Sequence, residues 1–317
     1  MKYGIPYKGS KNKLAGKIFE LFPRKKNFYD LFCGGCAMTH YGLLHGGFEN
    51  YFMNDINPAC PEFFMDAVHG KFKDEKRWIS REDFFRLKDS EPYVAFCWSF
   101  GNNLRDYLYA KDIEDYKRAW HYTIFFDDFE PAKKLTGIDF SPIKNIKNRK
   151  EKYLTSKEII RKFYNPSVFG VTQQLQSLQR LQSLLSLLSL ESLESLESLE
   201  SLESLQSLQS FNKSYDEIEI KKDSVIYCDI PYEGTDGYLT DFDFEKFYSW
   251  CEKQTEPLFI SSYNMPADRF VCVARFKHRS TLSATENIEV TEKVFIPKHQ
   301  AKEYHLPGSL FNFDEMM

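Results

Sequence analysis

The sequence has little that would suit a membrane or a disulfide scaffold. Its 317 residues contain no long uncharged apolar run and no apolar amino-terminal segment, whereas a bilayer-spanning helix needs about 20 apolar residues. Cysteines number seven, an odd count, which fits a reducing cytoplasm better than a disulfide framework. A strong charge of one sign is also missing, and the formal net charge of −4 at first speaks against a polyanionic partner. That figure misleads. In one repetitive tract Glu191, Glu194, Glu197, Glu200 and Glu203 stand against Arg180 alone, which accounts for the whole −4, so the rest of the chain is neutral.

What the sequence does have is aromatic bulk, with 29 Phe and 19 Tyr, enough for a sizeable core in one large domain with a lobe or in two modest ones. It also has a local concentration of positive charge. Lys144, Lys147, Arg149, Lys150, Lys152, Lys157, Arg161 and Lys162 are opposed only by Glu151 and Glu158. Two readings stand side by side, a solvated lysine-rich surface and a cluster that neutralises phosphates.

Apolar runs bounded by turn formers mark the strands. Residues 27–32 run into Cys33-Gly34-Gly35-Cys36 and then a helix, the strand, glycine turn and helix start that present bare backbone donors to an anionic or nucleotide ligand. Cys33 and Cys36 have redox or zinc pairing as an alternative, but no second pair at metal spacing accompanies them. A second strand, 51–57, carries Asp55 about twenty residues beyond the glycine turn; that spacing suits ribose hydroxyls, and capping of the next helix is the bland reading. Ahead of both lies the basic, glycine-interrupted loop Gly4–Lys11, with Tyr7 and Lys11, followed by a helix expected over 12–21. Residues 61–122 read as mainly helical, with 93–100 as a third strand and Trp98 and Phe100 as core. Residues 127–165 read as a surface lobe with a helix start at Thr155–Glu158.

From Gln173 to Ser210 the chain repeats Leu-Gln-Ser and Leu-Glu-Ser. An α-helix advances about 300° in three residues, so successive leucines slip about 60° and spread around the circumference. No single buried stripe is expected, and the tract reads as a spacer or helical arm, with an oligomerisation surface as an alternative. After it, Ser224–Asp229 is a buried strand that ends in Asp229-Ile230-Pro231-Tyr232, because proline cannot extend it. A glycine-bounded loop over 233–238, a helix near 243–252, a strand over 257–264 and an antiparallel pair over 269–276 and 287–296 complete the pattern.

An aspartate beside exposed carbonyls and an aromatic ring suits a planar group bearing an amine. Asp229 and the Ile230 carbonyl each accept one amine hydrogen and Tyr232 stacks on the ring, which localises the nitrogen lone pair for attack. The bland alternative is a strand-ending turn with a packed tyrosine. Asp229-Ile230-Pro231-Tyr232 resembles the Asp-Pro-Pro-Tyr motif of amino-group DNA methyltransferases, Asp30–Cys36 resembles their Phe-x-Gly-x-Gly motif, and Tyr7–Lys11 is similar to the opening loop of Dam-type adenine methyltransferases. The order of these motifs resembles the alpha arrangement of that family. Ile230 and Cys36 depart from the family pattern.

The resemblance implies a Rossmann-like methyltransferase sheet with helices on both faces, formed by 1–100 and 222–300. It also implies an inserted, mainly helical target-recognition lobe at 101–172 and the leucine-rich tract at 173–210 as a spacer. It implies S-adenosylmethionine as cofactor, touched by Tyr7, Lys11, Asp30, Phe32, Gly34, Asp55 and Asp229, and catalysis by Asp229, Pro231 and Tyr232 without a metal. The expected substrate is adenine N6 flipped from double-stranded DNA, gripped by Lys144, Lys147, Arg149, Lys150 and Arg161. Cytosine N4 methylation and a DNA-binding module without turnover are the rival readings. A cytoplasmic protein of a prokaryote or phage, able to act as a monomer, is expected; nothing in the sequence speaks to a restriction endonuclease partner.

Overall fold

The computed structural model describes residues 2–163, 187–202, 207–231, 242–280 and 288–302. It divides into two compact units, Met1–Lys71 with Ser195–Met317, and Phe72–Glu194.

The first unit is built on a seven-stranded sheet: β1 (Asn27–Asp30), β2 (Asn50–Asn54), β3 (Leu208–Phe211), β4 (Ser224–Asp229), β5 (Leu258–Ser262), β6 (Phe270–Ser280) and β7 (Ile288–Pro297), in the order β3-β2-β1-β4-β5-β7-β6. β1 pairs in parallel with β2 and β4, while β7 runs antiparallel to β5 and β6. A mostly parallel sheet must be covered on both faces, and alternation along the strands does this. Phe28, Val225 and Tyr227 face one core with Ala15, Ile18 and Met38 of the helices Ala15–Phe19 and Ala37–His45. Tyr29, Ile226 and Cys228 face the other, with Phe247 and Cys251 of the helix Phe244–Cys251. The architecture is compatible with a methyltransferase fold. Strand order reverses between β1 and β4, so their carboxyl ends border the crevice where such sheets bind ligands.

The repeat departs from expectation over its described part. Leu187, Leu190, Leu193, Leu196, Leu199 and Leu202 are all buried, each at most 2% exposed, so a single leucine stripe does form. The reason is a change of helix type. Residues Leu188–Glu197 are α-helical, where the buried Leu190, Leu193 and Leu196 drift over only about 120°. Ser198–Leu202 then tightens to a 3₁₀ helix, whose three residues per turn bring Leu199 and Leu202 onto one line. Serines assist the tightening: Ser198 Oγ donates to the Ser195 carbonyl at 2.7 Å and Ser201 Oγ to the Ser198 carbonyl at 2.9 Å. Each buried leucine contributes about 1.5–3 kcal/mol.

The second unit is helical, with Arg81–Leu87, Pro92–Cys97, Lys111–Phe126, Glu130–Thr136 and Arg149–Phe163. The third strand expected over 93–100 is instead the helix Pro92–Cys97, opened by Pro92 in its first turn. A short apolar run fits a buried helix as well as a strand. Trp98 is core, packed edge-on against Trp78 at 5.0 Å, whereas Phe100 is 57% exposed. It opens a tight turn in which Gly101, Asn102 and Leu104 all have left-handed backbones. The helix start expected at Thr155 lies inside the helix Arg149–Phe163. Tyr232 and the 233–238 loop fall outside the described residues.

Candidate active site

β1 hands the chain to the glycine turn at the switch point. There the Cys33 amide donates to the Asn54 carbonyl at 2.9 Å, and Cys36 takes a left-handed backbone as it enters the helix Ala37–His45. Cys36 thus turns its thiol inward, 3.4 Å from the Cys33 sulfur, with both side chains buried. Among the described residues no cluster of three His, Cys, Asp or Glu could hold a metal ion. Asp55 accepts the Gly34 amide at 2.8 Å and the Asn57 amide at 2.9 Å, so its carboxylate pins the turn to the end of β2. Asn57 Oδ1 accepts the Ala59 amide at 3.2 Å at the start of the next helix.

Asp30 is buried beneath the turn and accepts the Thr39 hydroxyl at 2.7 Å and amide at 3.2 Å through one oxygen. Its other oxygen is buried with no hydrogen-bond partner among the described residues. Burial pushes its pKa up to about 7, against the Thr39 hydrogen bonds. The amino-terminal loop closes on the same turn. Ile5 donates to the Gly35 carbonyl at 2.8 Å, and Gly4, at φ +76°, lies so close that a Cβ would sit 2.1 Å from that oxygen. A Cβ on Gly34 would come within 3.0 Å of the Tyr7 ring, which lies against the turn. Phe32 stacks on Tyr215 at 5.4 Å and meets Phe242 and Phe247 edge-on, a mostly aromatic wall.

Asp229 ends β4 with its carboxylate 2.8 Å from the Lys11 ammonium. Glu292 on β7 reaches the same ammonium at 3.9 Å. Lys11 and Glu292 are buried and Asp229 is partly exposed. Burial alone would lower the Lys11 pKa; the Asp229 and Glu292 carboxylates reverse that and hold it above its ordinary value. Ile230, which stands where the family motif has its first proline, is 2% exposed and packs in the apolar core with Leu31, Ile226 and Phe247. Core packing thus anchors the turn at this position. Pro231 follows, half-buried.

Residues 7–123 match the model of the D12 class N6 adenine-specific DNA methyltransferases. This stretch, less than half of the chain, is similar to the D12-class methyltransferase domain. The match indicates an adenine-specific DNA methyltransferase. It contains Tyr7, Lys11, Asp30, Phe32, Gly34 and Asp55, and stops short of Asp229 and of the basic cluster. No curated protein matches the chain.

The expected basic residues all lie in the second unit, and three of them line one pocket. Lys144, Lys147 and Arg149 line a pocket of about 320 Å³ together with Lys76, Lys152, Phe125 and Asp127. Lys150 and Arg161 are exposed on the helix Arg149–Phe163 and do not line it. Lys76 and Phe125 carried no signal of their own in the sequence. Glu292 did carry one: it occupies a position where the two-residue alternation with Val294 and Ile296 calls for an apolar side chain.

Proposed function

We propose that this chain transfers a methyl group from S-adenosylmethionine to the N6 amine of an adenine turned out of double-stranded DNA, at the corner formed by Asp229, Ile230, Pro231 and Tyr232. The observation that carries this reading is the Asp229 carboxylate at the end of β4, next to β1 where strand order reverses, with the Lys11 ammonium 2.8 Å away.

The residues of the glycine turn fit the cofactor. The unpartnered buried oxygen of Asp30 suits an ammonium donor such as the amino-acid end of S-adenosylmethionine. Phe32 offers an aromatic wall, Gly34 lets backbone approach closely, Asp55 holds the turn within reach of ribose hydroxyls, and Tyr7 packs over it. When bound, the cofactor supplies a sulfonium-activated methyl group.

The rest falls to the chain's own side chains. Lys11 fixes the Asp229 carboxylate by charge pairing, and Asp229 and the Ile230 carbonyl accept the two hydrogens of the adenine amine, which leaves its lone pair directed at the methyl. Tyr232 stacks on the base and offsets part of the few kcal/mol that unstacking costs. Positioning supplies much of the rate. The second unit is the target-recognition lobe in this reading, with Lys144, Lys147 and Arg149 toward DNA phosphates.

The test is transfer of a labelled methyl group from S-adenosylmethionine to mixed-sequence duplex DNA, followed by digestion to nucleosides. The label is expected in N6-methyladenine. Label in N4-methylcytosine, or DNA binding with no transfer, contradicts the proposal.

A further inference from the structure

We propose that the second unit's pocket is a preformed socket for one phosphate of a nucleic-acid strand together with its sugar, and that this socket, rather than the whole basic cluster, fixes DNA on the lobe. The inference rests on the reading of the chain as acting on DNA. The pocket is lined by Lys76, Lys144, Lys147, Arg149 and Lys152 against one carboxylate, Asp127. Asp127 is already engaged by the buried Lys152, whose ammonium lies 2.5 Å from it. Lys76, Lys144 and Lys147 have no ion pair among the described residues. Cations gathered in a concave site, with the acid already matched, call for an anion from outside.

Size and shape say more than charge. At about 320 Å³ the cavity is far larger than a bare phosphate needs and stands at the lower edge of pockets that hold small organic ligands. Its walls include Ile124, Phe125 and Ile146, apolar surface that an inorganic ion would not use but the carbon face of a sugar would. Arg149 lies over the Phe125 ring at 4.8 Å, and Phe125 in turn stacks on His121 at 4.2 Å. The guanidinium is therefore placed over the ring before any ligand arrives, and a positioned guanidinium suits contact with a phosphate. A diffuse lysine surface has none of these features.

The experiment uses the full chain and fluorescence-detected binding to duplex DNA over a range of salt concentrations. Lys147→Gln with Arg149→Gln is compared with Lys133→Gln with Lys134→Gln, a charge-matched pair on the exposed face of the helix Glu130–Thr136. The socket predicts that the pocket pair weakens binding about 10-fold and lowers the salt slope by about one to two, while the Lys133/Lys134 pair changes affinity less than about 2-fold. Because Lys147 is exposed, Lys147→Gln alone keeps the test open if the Arg149 variant fails to fold. Equal effects from the two pairs overturn the socket in favour of diffuse attraction. Pyrophosphate that saturates the pocket in a thermal-shift titration, with DNA affinity unchanged in the pocket variants, also overturns it, in favour of a free-anion site. Labelled methyl transfer at saturating DNA, measured in the same variants, reads the enzyme assignment separately: it persists if only the socket is wrong and is absent from every protein if the assignment is wrong.

Discussion

The two units treat charge in opposite ways. At the sheet switch point most ionisable groups are matched: Lys11 lies between Asp229 and Glu292, and Asp55 holds two backbone amides. In the helical unit Lys76, Lys144 and Lys147 gather around a pocket whose single acid is already paired. Matched, buried charge fixes atoms in place, which chemistry on a small group requires. Excess charge of one sign leaves a field that is satisfied only by a ligand, which suits capture of a polyanion. On the proposed function, stability and substrate capture draw on different lysines.

Removing a lysine from each region is the sharpest way to break that contrast. Lys11→Ala leaves Asp229 and Glu292 without their shared counter-charge, and is expected to lower unfolding stability by about 3–5 kcal/mol. Denaturant unfolding checks it, and adding Glu292→Gln should restore part of the loss; an unchanged midpoint for Lys11→Ala would remove the matched-charge half of the contrast.

The next effect is on pH dependence. Asp30 has its pKa raised to about 7 in the folded chain, mainly by burial, against about 4 when unfolded. Between those values the folded state holds a proton that the unfolded state has lost, so stability falls as pH rises from about 4 to 7. The whole span is worth on the order of 4 kcal/mol at most. Asp30→Asn should flatten the stability profile in that window, and an unaltered slope would show that Asp30 ionises without cost.

The smallest expected effect is the counterpart in the second unit. Lys147→Gln removes an exposed cation with no ion pair among the described residues, and should move stability by less than about 0.5 kcal/mol. A loss comparable to that of Lys11→Ala would erase the distinction between the units.

Much of the sheet was legible because β1, β2, β4 and β5 are apolar runs cut off by Asp, Asn, Gly or Pro, and the β6–β7 pair alternates. The glycine turn and the Asp229 corner were legible for the same reason, since both are places where the pattern stops. Residues 93–100 misled because length and burial do not separate a short strand from a short buried helix, and Pro92 was the overlooked signal. The repeat misled because a 3₁₀ helix long enough to align every leucine is uncommon, whereas a short switch to 3₁₀ at Ser198 is enough to realign Leu199 and Leu202. Leu196→Ala should therefore cost about 2–5 kcal/mol, against much less for the partly exposed Leu188→Ala. Glu292 was marked in the sequence only by its break in the apolar alternation, since tertiary packing alone brings it to Lys11, and Lys76 was not marked because its partners in the pocket lie more than forty residues away in the chain.

Asp229 is central to the proposed chemistry, and the most direct measurement is methyl transfer to duplex DNA by Asp229→Ala, with S-adenosylmethionine binding followed by calorimetry on the same protein. The expected result is a loss of at least about 1,000-fold in transfer with cofactor binding still measurable. Transfer at the unmodified rate in Asp229→Ala would contradict the account.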